Sequence, residues 1–163
     1  MLFSRKTVLV FLGFFLSASL FAQTAEKLEV LLNAPELSWS QAAAFVLEAA
    51  NVEIDGKASL QAAPENVSDQ AFRFAADKKW LPKAVLPEEA AKLNGIALLL
   101  MQSFDMKGGI FYRLAKGPHH AYRELVYKNV IRGYTDPQMP VSGQQLLSLI
   151  GRILSMEEEA NEE

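Results

Sequence analysis

The sequence predicts a mainly α-helical protein, a small domain of two or three stacked helix-turn-helix repeats that follows an N-terminal signal peptide. Three observations predict it. Apolar residues recur at the spacing of one helix face along most of the chain. Two of these helices begin with the same Ser-x-x-Gln pattern, at Ser38 and at Ser142. The first 22 residues have the charge and hydropathy order of an export signal.

Residues 1–22 are predicted to be a signal peptide that is removed after Ala22. Arg5 and Lys6 supply the positive start, and small residues precede the cleavage point. The apolar stretch 8–22 has 15 residues, fewer than the ~20 that a transmembrane helix needs, so cleavage is favoured over an uncleaved anchor. We therefore expect export to the periplasm or cell surface, with membrane contact only through this segment before cleavage.

Residues 23–36 are predicted to form a short helix and a linker, which Pro35 terminates. The next helix starts with a capping box, in which the Ser38 hydroxyl accepts from the Gln41 amide and the Gln41 side chain returns to the Ser38 amide. This helix is expected to end at Asn51. Its apolar stripe consists of Ala42, Phe45, Val46, Ala49 and Ala50.

The middle of the chain is predicted to contain a connector at 52–68 and then a helix from Asp69 to about Leu81, with Ser68 as its N-cap. Residues 105–120 are the least regular part because glycines and a proline interrupt them. Within that part, the apolar run 110–114 is expected to pack against the helices. A helix before it carries one apolar face, made of Ala97, Leu100, Met101 and Phe104.

The last helix pair is predicted to run from Tyr122 to Ile131 and from Ser142 to about 155. Gly133 is expected to stop the first helix as a left-handed C-cap. Ser142 and Gln145 form the second capping box. The final helix carries an apolar stripe of Leu146, Leu149, Ile150, Ile153 and Leu154, and residues 156–163 are predicted to be an acidic, disordered tail.

The pattern recurs along the chain. Leu37–Gln41 matches Val141–Gln145 at an offset of 104 residues, and Ala71–Arg73 matches Ala121–Arg123 at an offset of 50. Units of this size stack because none of them buries its apolar face alone. Chance similarity between amphipathic helix pairs is the alternative.

In the middle copy, two alignments of the second helix with the last copy are possible. An offset of 48 aligns Asn94 with the cap Ser142, whereas an offset of 49 aligns the apolar stripes better. The two choices differ in which residue begins the helix.

These residues resemble the S-layer homology repeat. The resemblance rests on the connector Gly133–Asp136 and on the capped helix start Val141–Gln145, and it gives a repeat domain at 37–155. It implies a cell-envelope module that holds a cell-wall glycan or another envelope protein in grooves between repeats. The family's Thr-Arg-Ala-Glu run is altered here, because Gly143 stands at the Arg position and Gln145 at the Glu position. The other copies offer Trp39 and Gly95 at the Arg position.

The residues predicted to bind this ligand are Arg132, Tyr134, Trp39 and Trp80. The aromatic ones lie near predicted helix ends, where stacking on a sugar ring and packing in the core are both possible interpretations. Ser38, Gln41, Ser142, Gln145 and Gly133 are assigned to helix caps.

Composition excludes several other functions. The chain has no cysteine, so neither a thiol nucleophile nor a thiolate metal site exists, and its net charge of −3 argues against nucleic acid. His119 and His120 are interpreted as a surface pair at a helix start rather than metal ligands. No metal, cofactor or catalytic residue is expected. A protein-interaction domain without a glycan site is the alternative function, and a small hydrolase ranks last because no constellation supports it.

Overall fold

The fold of the chain is mainly α-helical, as predicted. The computed structural model describes residues 29, 31–54, 64–133 and 135–161, so the predicted signal peptide lies outside the described part. These residues form helices α1 (Trp39–Ala49), α2 (Pro64–Asp77), α3 (Leu93–Ser103), α4 (Ile110–Leu114), α5 (Pro118–Tyr127) and α6 (Gly143–Asn161). Residues 29 and 31–33 are also helical. Within the described part, no helix combines the length and hydropathy of a membrane-spanning segment.

Three short extended segments meet at the centre of the fold and close a ring of backbone hydrogen bonds. The Leu37 amide donates to the Val141 carbonyl at 2.9 Å, and the Val141 amide donates to the Ala91 carbonyl at 2.9 Å. The Ala91 amide completes the ring by donating to the Leu37 carbonyl at 2.8 Å. All three residues are buried. We call this the backbone ring, and each of its members is followed within two residues by the start of α1, α3 or α6.

The first backbone amides of each of these helices also donate hydrogen bonds to a neighbouring segment of the chain. At α1, the Trp39 and Ser40 amides donate to the Glu89 and Pro87 carbonyls, each at 3.0 Å. Isolated bridges accompany these bonds, between Ser38 and Ala90 and between Lys92 and Pro140.

The corresponding bonds recur at the other two starts. At α3, the Leu93 amide donates to Met139 at 3.0 Å and the Asn94 amide donates to Pro137 at 2.9 Å. At α6, the Gly143 amide donates to the Ala34 carbonyl at 3.0 Å. The chain segment before α1 thereby contacts α6 and closes the circle.

Helices pack in pairs across this centre. α2 packs on α1, α5 packs on α3, and α1 also contacts α3 and α6. One apolar cluster fills the space between them. Its largest fully buried side chains include Trp39, Leu47, Leu93, Ile96, Leu100, Leu125, Leu146 and Ile153.

Four helices end in the same left-handed turn without using glycine. At these four turns the residue with positive φ is Asn51 (50°), Lys79 (61°), Asp105 (44°) or Asn129 (58°). The amide that follows each of them donates to the carbonyl five residues back, at 2.8–2.9 Å. This is the Schellman arrangement.

The prediction that Gly133 stops a helix is therefore wrong. Its φ is +80°, in the left-handed region as expected, but α5 has already ended at Tyr127 and Asn129 makes the left-handed turn. Gly133 lies in the connector beyond that turn. Asparagine tolerates the left-handed conformation well enough to replace glycine here.

Two other predicted boundaries are corrected. α2 begins at Pro64, so Ser68 lies inside the helix rather than at its cap. Proline is favoured in a first turn because its missing amide has no partner to lose there. α6 continues through Asn161, so 156–161 of the predicted disordered tail are helical. Glutamate is a good helix former, which extends the helix along this acidic stretch.

The start of α3 also differs from both predicted registers. Lys92 is the N-cap, with φ −92° and ψ 146°, and its side chain makes no capping bond. Asn94, which an offset of 48 aligned with Ser142, lies one residue inside the helix. The apolar face of the helix is buried as expected at Ala97, Leu100 and Met101, and Phe104 packs against the core.

Candidate functional site

A cleft lies between the connector before α3 and the connector before α6. Its volume is about 480 Å³. The residues that line it come from both connectors, from the start of α3 and from the first residues of α1 and α5. They are Trp39, Pro82, Val85, Glu89, Ala90, Lys92, Asn94, Pro118 and Gln138.

The walls of the cleft are held by backbone bonds. Ala90 pairs with Ser38, and Lys92 pairs with Pro140. The Gln138 amide donates to the Asp136 carboxylate at 2.8 Å, which fixes the turn that presents the Gln138 side chain. The rim is therefore formed by the same hydrogen bonds that position α1 and α3.

Four polar side chains line the cleft and carry one charge of each sign. Lys92 and Gln138 are exposed and Asn94 is half-buried. Glu89 is exposed, and its carboxylate accepts from the Leu86 amide at 3.1 Å. Among the described residues, the Lys92 ammonium has neither an ion-pair partner nor a hydrogen-bond acceptor. A lysine whose backbone is held in place and whose ammonium is unpaired can bind an anionic group.

The apolar wall depends on a close contact between Trp39 and Gly95. Trp39 is 2% exposed. A Cβ atom at Gly95 would lie 2.4 Å from Trp39 Cη2 and 2.6 Å from Pro82 Cγ. The indole and the Pro82 ring therefore both pack closely against the backbone of α3 at Gly95.

The structure brings one of the four predicted ligand-binding residues to this cleft, Trp39, and its burial fits the core-packing interpretation. Trp80 is half-buried and stacks edge-to-face on Phe74, with ring centroids 5.7 Å apart. Arg132 is exposed, and its Nε donates to the Asn129 carbonyl at 2.9 Å. Neither residue lines the cleft. Tyr134 lies outside the described residues.

Of the predicted capping residues, all except Gly133 lie at helix starts. At α1, the Ser38 hydroxyl accepts from the Gln41 amide at 3.3 Å and the Ser38 amide donates to Gln41 Oε1 at 3.0 Å, a complete capping box. At α6, the Ser142 hydroxyl accepts from the Gln145 amide at 3.2 Å. Both serines therefore have structural roles.

The sequence comparison places Trp39, Gly95 and Gly143 at the Arg position of the S-layer homology repeat. In the structure Gly95 lies four residues after Ala91, so it is not equivalent to the other two. The residues two positions after the members of the backbone ring are Trp39, Leu93 and Gly143. The first two are buried, and a Cβ atom at Gly143 would lie 1.6 Å from the Leu31 carbonyl oxygen. Lys92 is an exposed cation one residue before Leu93. Sequence reasoning missed Lys92 because neither of the offsets considered, 48 or 49, aligned it with the two cap serines.

The two histidines form a pair at the start of α5. Their ring centroids are 5.5 Å apart and the planes meet at 72°. In the described ranges, no group of three His, Asp or Glu side chains is arranged to hold a metal ion.

Comparisons of the chain with protein-family models, curated proteins and solved structures found no match. The functional argument therefore rests on the residues and the geometry described above.

Proposed function

We propose that the protein is a non-catalytic cell-envelope module of the S-layer homology type, which binds an acidic envelope glycan in the cleft that contains Lys92. The observation that carries the proposal is the backbone ring of Leu37, Ala91 and Val141. This ring holds the starts of α1, α3 and α6 close together, and a groove lies between the connectors that precede α3 and α6. Export by the signal peptide 1–22 is part of the proposal, and mass spectrometry that finds an N-terminus near Gln23 would support it.

The proposal treats the domain as three units. The first comprises the helical residues 31–33 with α1, the second α2 with α3, and the third α5 with α6. In support, α2 packs on α1 and α5 packs on α3, while Leu31 contacts Gly143 at the start of α6. Each first helix thus lies against the second helix of another unit.

Hydrogen bonds support one register for the second and third units. The Trp80 amide donates to the Ala75 carbonyl at 2.8 Å, and the Val130 amide donates to Leu125 at 2.9 Å, an offset of 50 residues. The same offset relates Ala91 to Val141 in the backbone ring. A single offset of 50 residues therefore relates both helices of the second unit to those of the third. At this offset Lys92 corresponds to Ser142.

Lys92 favours a sugar polymer that carries negative charge, because the Glu89 carboxylate in the same cleft already accepts from the Leu86 amide. The Lys92 ammonium provides an ionic contact for a carboxylate, phosphate or pyruvyl group. The amides of Asn94 and Gln138 can exchange hydrogen bonds with hydroxyls. Pro82, Val85 and Pro118 provide apolar surface for the faces of sugar rings.

The experiment is cosedimentation with cell walls from the native host, stripped of protein but retaining their polymers. We expect the wild-type protein to sediment and Lys92→Ala to bind about fivefold more weakly, the loss of one partly screened ion pair. Lys83→Ala is the matched control, since it removes an exposed lysine that does not line the cleft. Unchanged binding by Lys92→Ala would exclude this cleft.

A protein-interaction domain without a glycan site is the second candidate, favoured by the close approach of Leu31 to Gly143, which leaves no room for an Arg side chain. Retention only on walls that keep their proteins would support it. The double variant Arg132→Ala/Tyr134→Ala tests the ligand site predicted from the sequence. Loss of binding in that variant alone would move the site to the connector after α5.

A further inference from the structure

Helix α4 presents its apolar side chains to solvent. Ile110 is 71% exposed, Phe111 is 72% exposed and Leu114 is 81% exposed. At 100° per residue these three positions fall within a single arc of about 100°. The expectation that the run 110–114 packs against the helices is wrong for all of it except Tyr112, which is 2% exposed.

Tyr112 fixes this orientation. Its hydroxyl contacts the Gln102 side-chain amide on α3. Burial raises the pKa of the Tyr112 phenol above its ordinary value of 10.0, so the hydroxyl stays protonated at neutral pH. A Cβ atom at Gly108 would lie 2.4 Å from Tyr112 Cδ1, so the glycine gives the ring its space. The helix is therefore anchored through one aromatic side chain with its apolar face outward.

Exposed basic residues flank this face. Lys107, Arg113 and Lys116 are all exposed, and Asp105 is the exposed acid of the same stretch. The segment 105–116 thus carries a charge of +2 within a chain whose net charge is −3. A half-buried carboxylate, Glu124 on α5, lies beneath it, 2.9 Å from the ideal Cβ position of Gly109.

We propose that α4 docks the protein onto a bilayer surface that contains anionic phospholipids. Ile110, Phe111 and Leu114 enter the boundary between headgroups and acyl chains, while the basic side chains remain at the level of the phosphates. The inference is independent of the glycan cleft. It places an additional envelope contact at a different part of the fold.

Charge and size favour a lipid surface over a protein. A two-fold contact between copies would bring the three basic residues of one copy close to those of the other, which is repulsive. The three apolar side chains can bury on the order of 500 Å² of surface. A stable protein interface buries ~800 Å² per partner, which is more than this face provides. A lipid bilayer can take up a small apolar helix face, and each flanking basic side chain adds to the binding free energy.

Vesicle flotation tests the proposal, with protein purified from its native host and two lipid compositions. We expect binding to vesicles of phosphatidylcholine mixed with phosphatidylglycerol, and little binding to phosphatidylcholine alone. Phe111→Ser should weaken partitioning about tenfold through lost apolar burial. Lys107→Gln/Lys116→Gln should weaken it by more than tenfold, at about fivefold per lysine.

Matched controls separate these effects from general adhesion. Leu154→Ser removes an exposed apolar side chain on α6, and Lys79→Gln/Lys83→Gln makes the same charge change elsewhere. Both should leave partitioning unchanged, and circular dichroism should show every variant folded. Absence of binding to anionic vesicles, or equal losses in the controls, would overturn the proposal. So would a concentration-dependent dimer that Phe111→Ser dissolves, because a second copy would then cover the face.

Discussion

The starts of α1 and α3 share a backbone arrangement but differ in side-chain chemistry. Both N-cap residues are extended, Ser38 at φ −75° and ψ 162° and Lys92 at φ −92° and ψ 146°. Both follow a member of the backbone ring directly. Ser38 makes a complete capping box with Gln41, whereas Lys92 makes no side-chain capping bond.

The difference shows that backbone contacts, rather than caps, determine where these helices begin. The first amides of a helix have no partner within it. At α3, two of them donate to Met139 and Pro137, and at α1 the equivalent amides donate to Glu89 and Pro87. Since a cap residue is not needed at α3, its position is free for the lysine that lines the cleft.

Gly143→Ala should have the largest effect because it breaks the contact between the segment before α1 and the start of α6. The added Cβ would lie 1.6 Å from the Leu31 carbonyl oxygen, a backbone atom that cannot rotate away. We expect a loss of more than about 3 kcal/mol in the free energy of unfolding, measured by denaturant titration.

Gly151→Ala on the same helix is the control, since nothing lies within 4 Å of its ideal Cβ position. That change should stabilise by about 0.5–1 kcal/mol through helix propensity. A loss below about 1 kcal/mol for Gly143→Ala would mean that the N-terminal segment does not close on α6.

Gly95→Ala should come next and affect only the start of α3. Its Cβ would meet the Trp39 ring and Pro82, which are side chains that can partly give way. We expect a loss of about 1–3 kcal/mol. The double variant with Trp39→Phe should lose less than the sum of the two single changes, because both act on the same contact. Strict additivity would contradict the packing described for the cleft wall.

Features that depend on neighbouring residues in sequence were predictable. The mainly α fold followed from apolar periodicity, and Leu146, Leu149, Ile150 and Ile153 of the last stripe are buried. The spacing of Ser38 and Gln41 predicts the capping box, and the structure confirms it. These signals are strong because helix faces and caps are set within one or two turns.

Features set by distant backbone contacts were not predictable. The helix α3 begins after Lys92 because the Leu93 and Asn94 amides donate to Met139 and Pro137, about 45 residues later in the chain. Backbone bonds of this kind do not constrain which residue occupies the N-cap. The exposed face of α4 was misread because apolar composition alone does not show which side of a helix is covered. Likewise, Lys79 and Asp105 end helices where a glycine would be expected.

Ser38→Ala and Lys92→Ala compare the two starts directly. Removing the Ser38 hydroxyl should cost about 1 kcal/mol, the usual contribution of an N-cap. Removing the Lys92 side chain should change stability by less than about 0.5 kcal/mol, because no capping bond is lost. Denaturant titration of both variants measures the contrast. Equal losses would show that the Lys92 side chain supports the fold in some other way.

Lys92→Ser should have only a small effect on stability, but it tests whether a capping side chain can be added at the start of α3. A serine in this extended N-cap conformation can accept from an amide of the first turn, as Ser38 does. The gain should be small, about 0.5 kcal/mol, because the Gly95 amide already donates to the Lys92 carbonyl at 3.0 Å. Thermal unfolding should then rise by about 1–2 °C. If Lys92 is the cation of the ligand cleft, the same variant should bind cell walls more weakly than the wild type, so stability and binding move in opposite directions. A variant that gains stability and keeps full binding would show that the lysine is dispensable at this position.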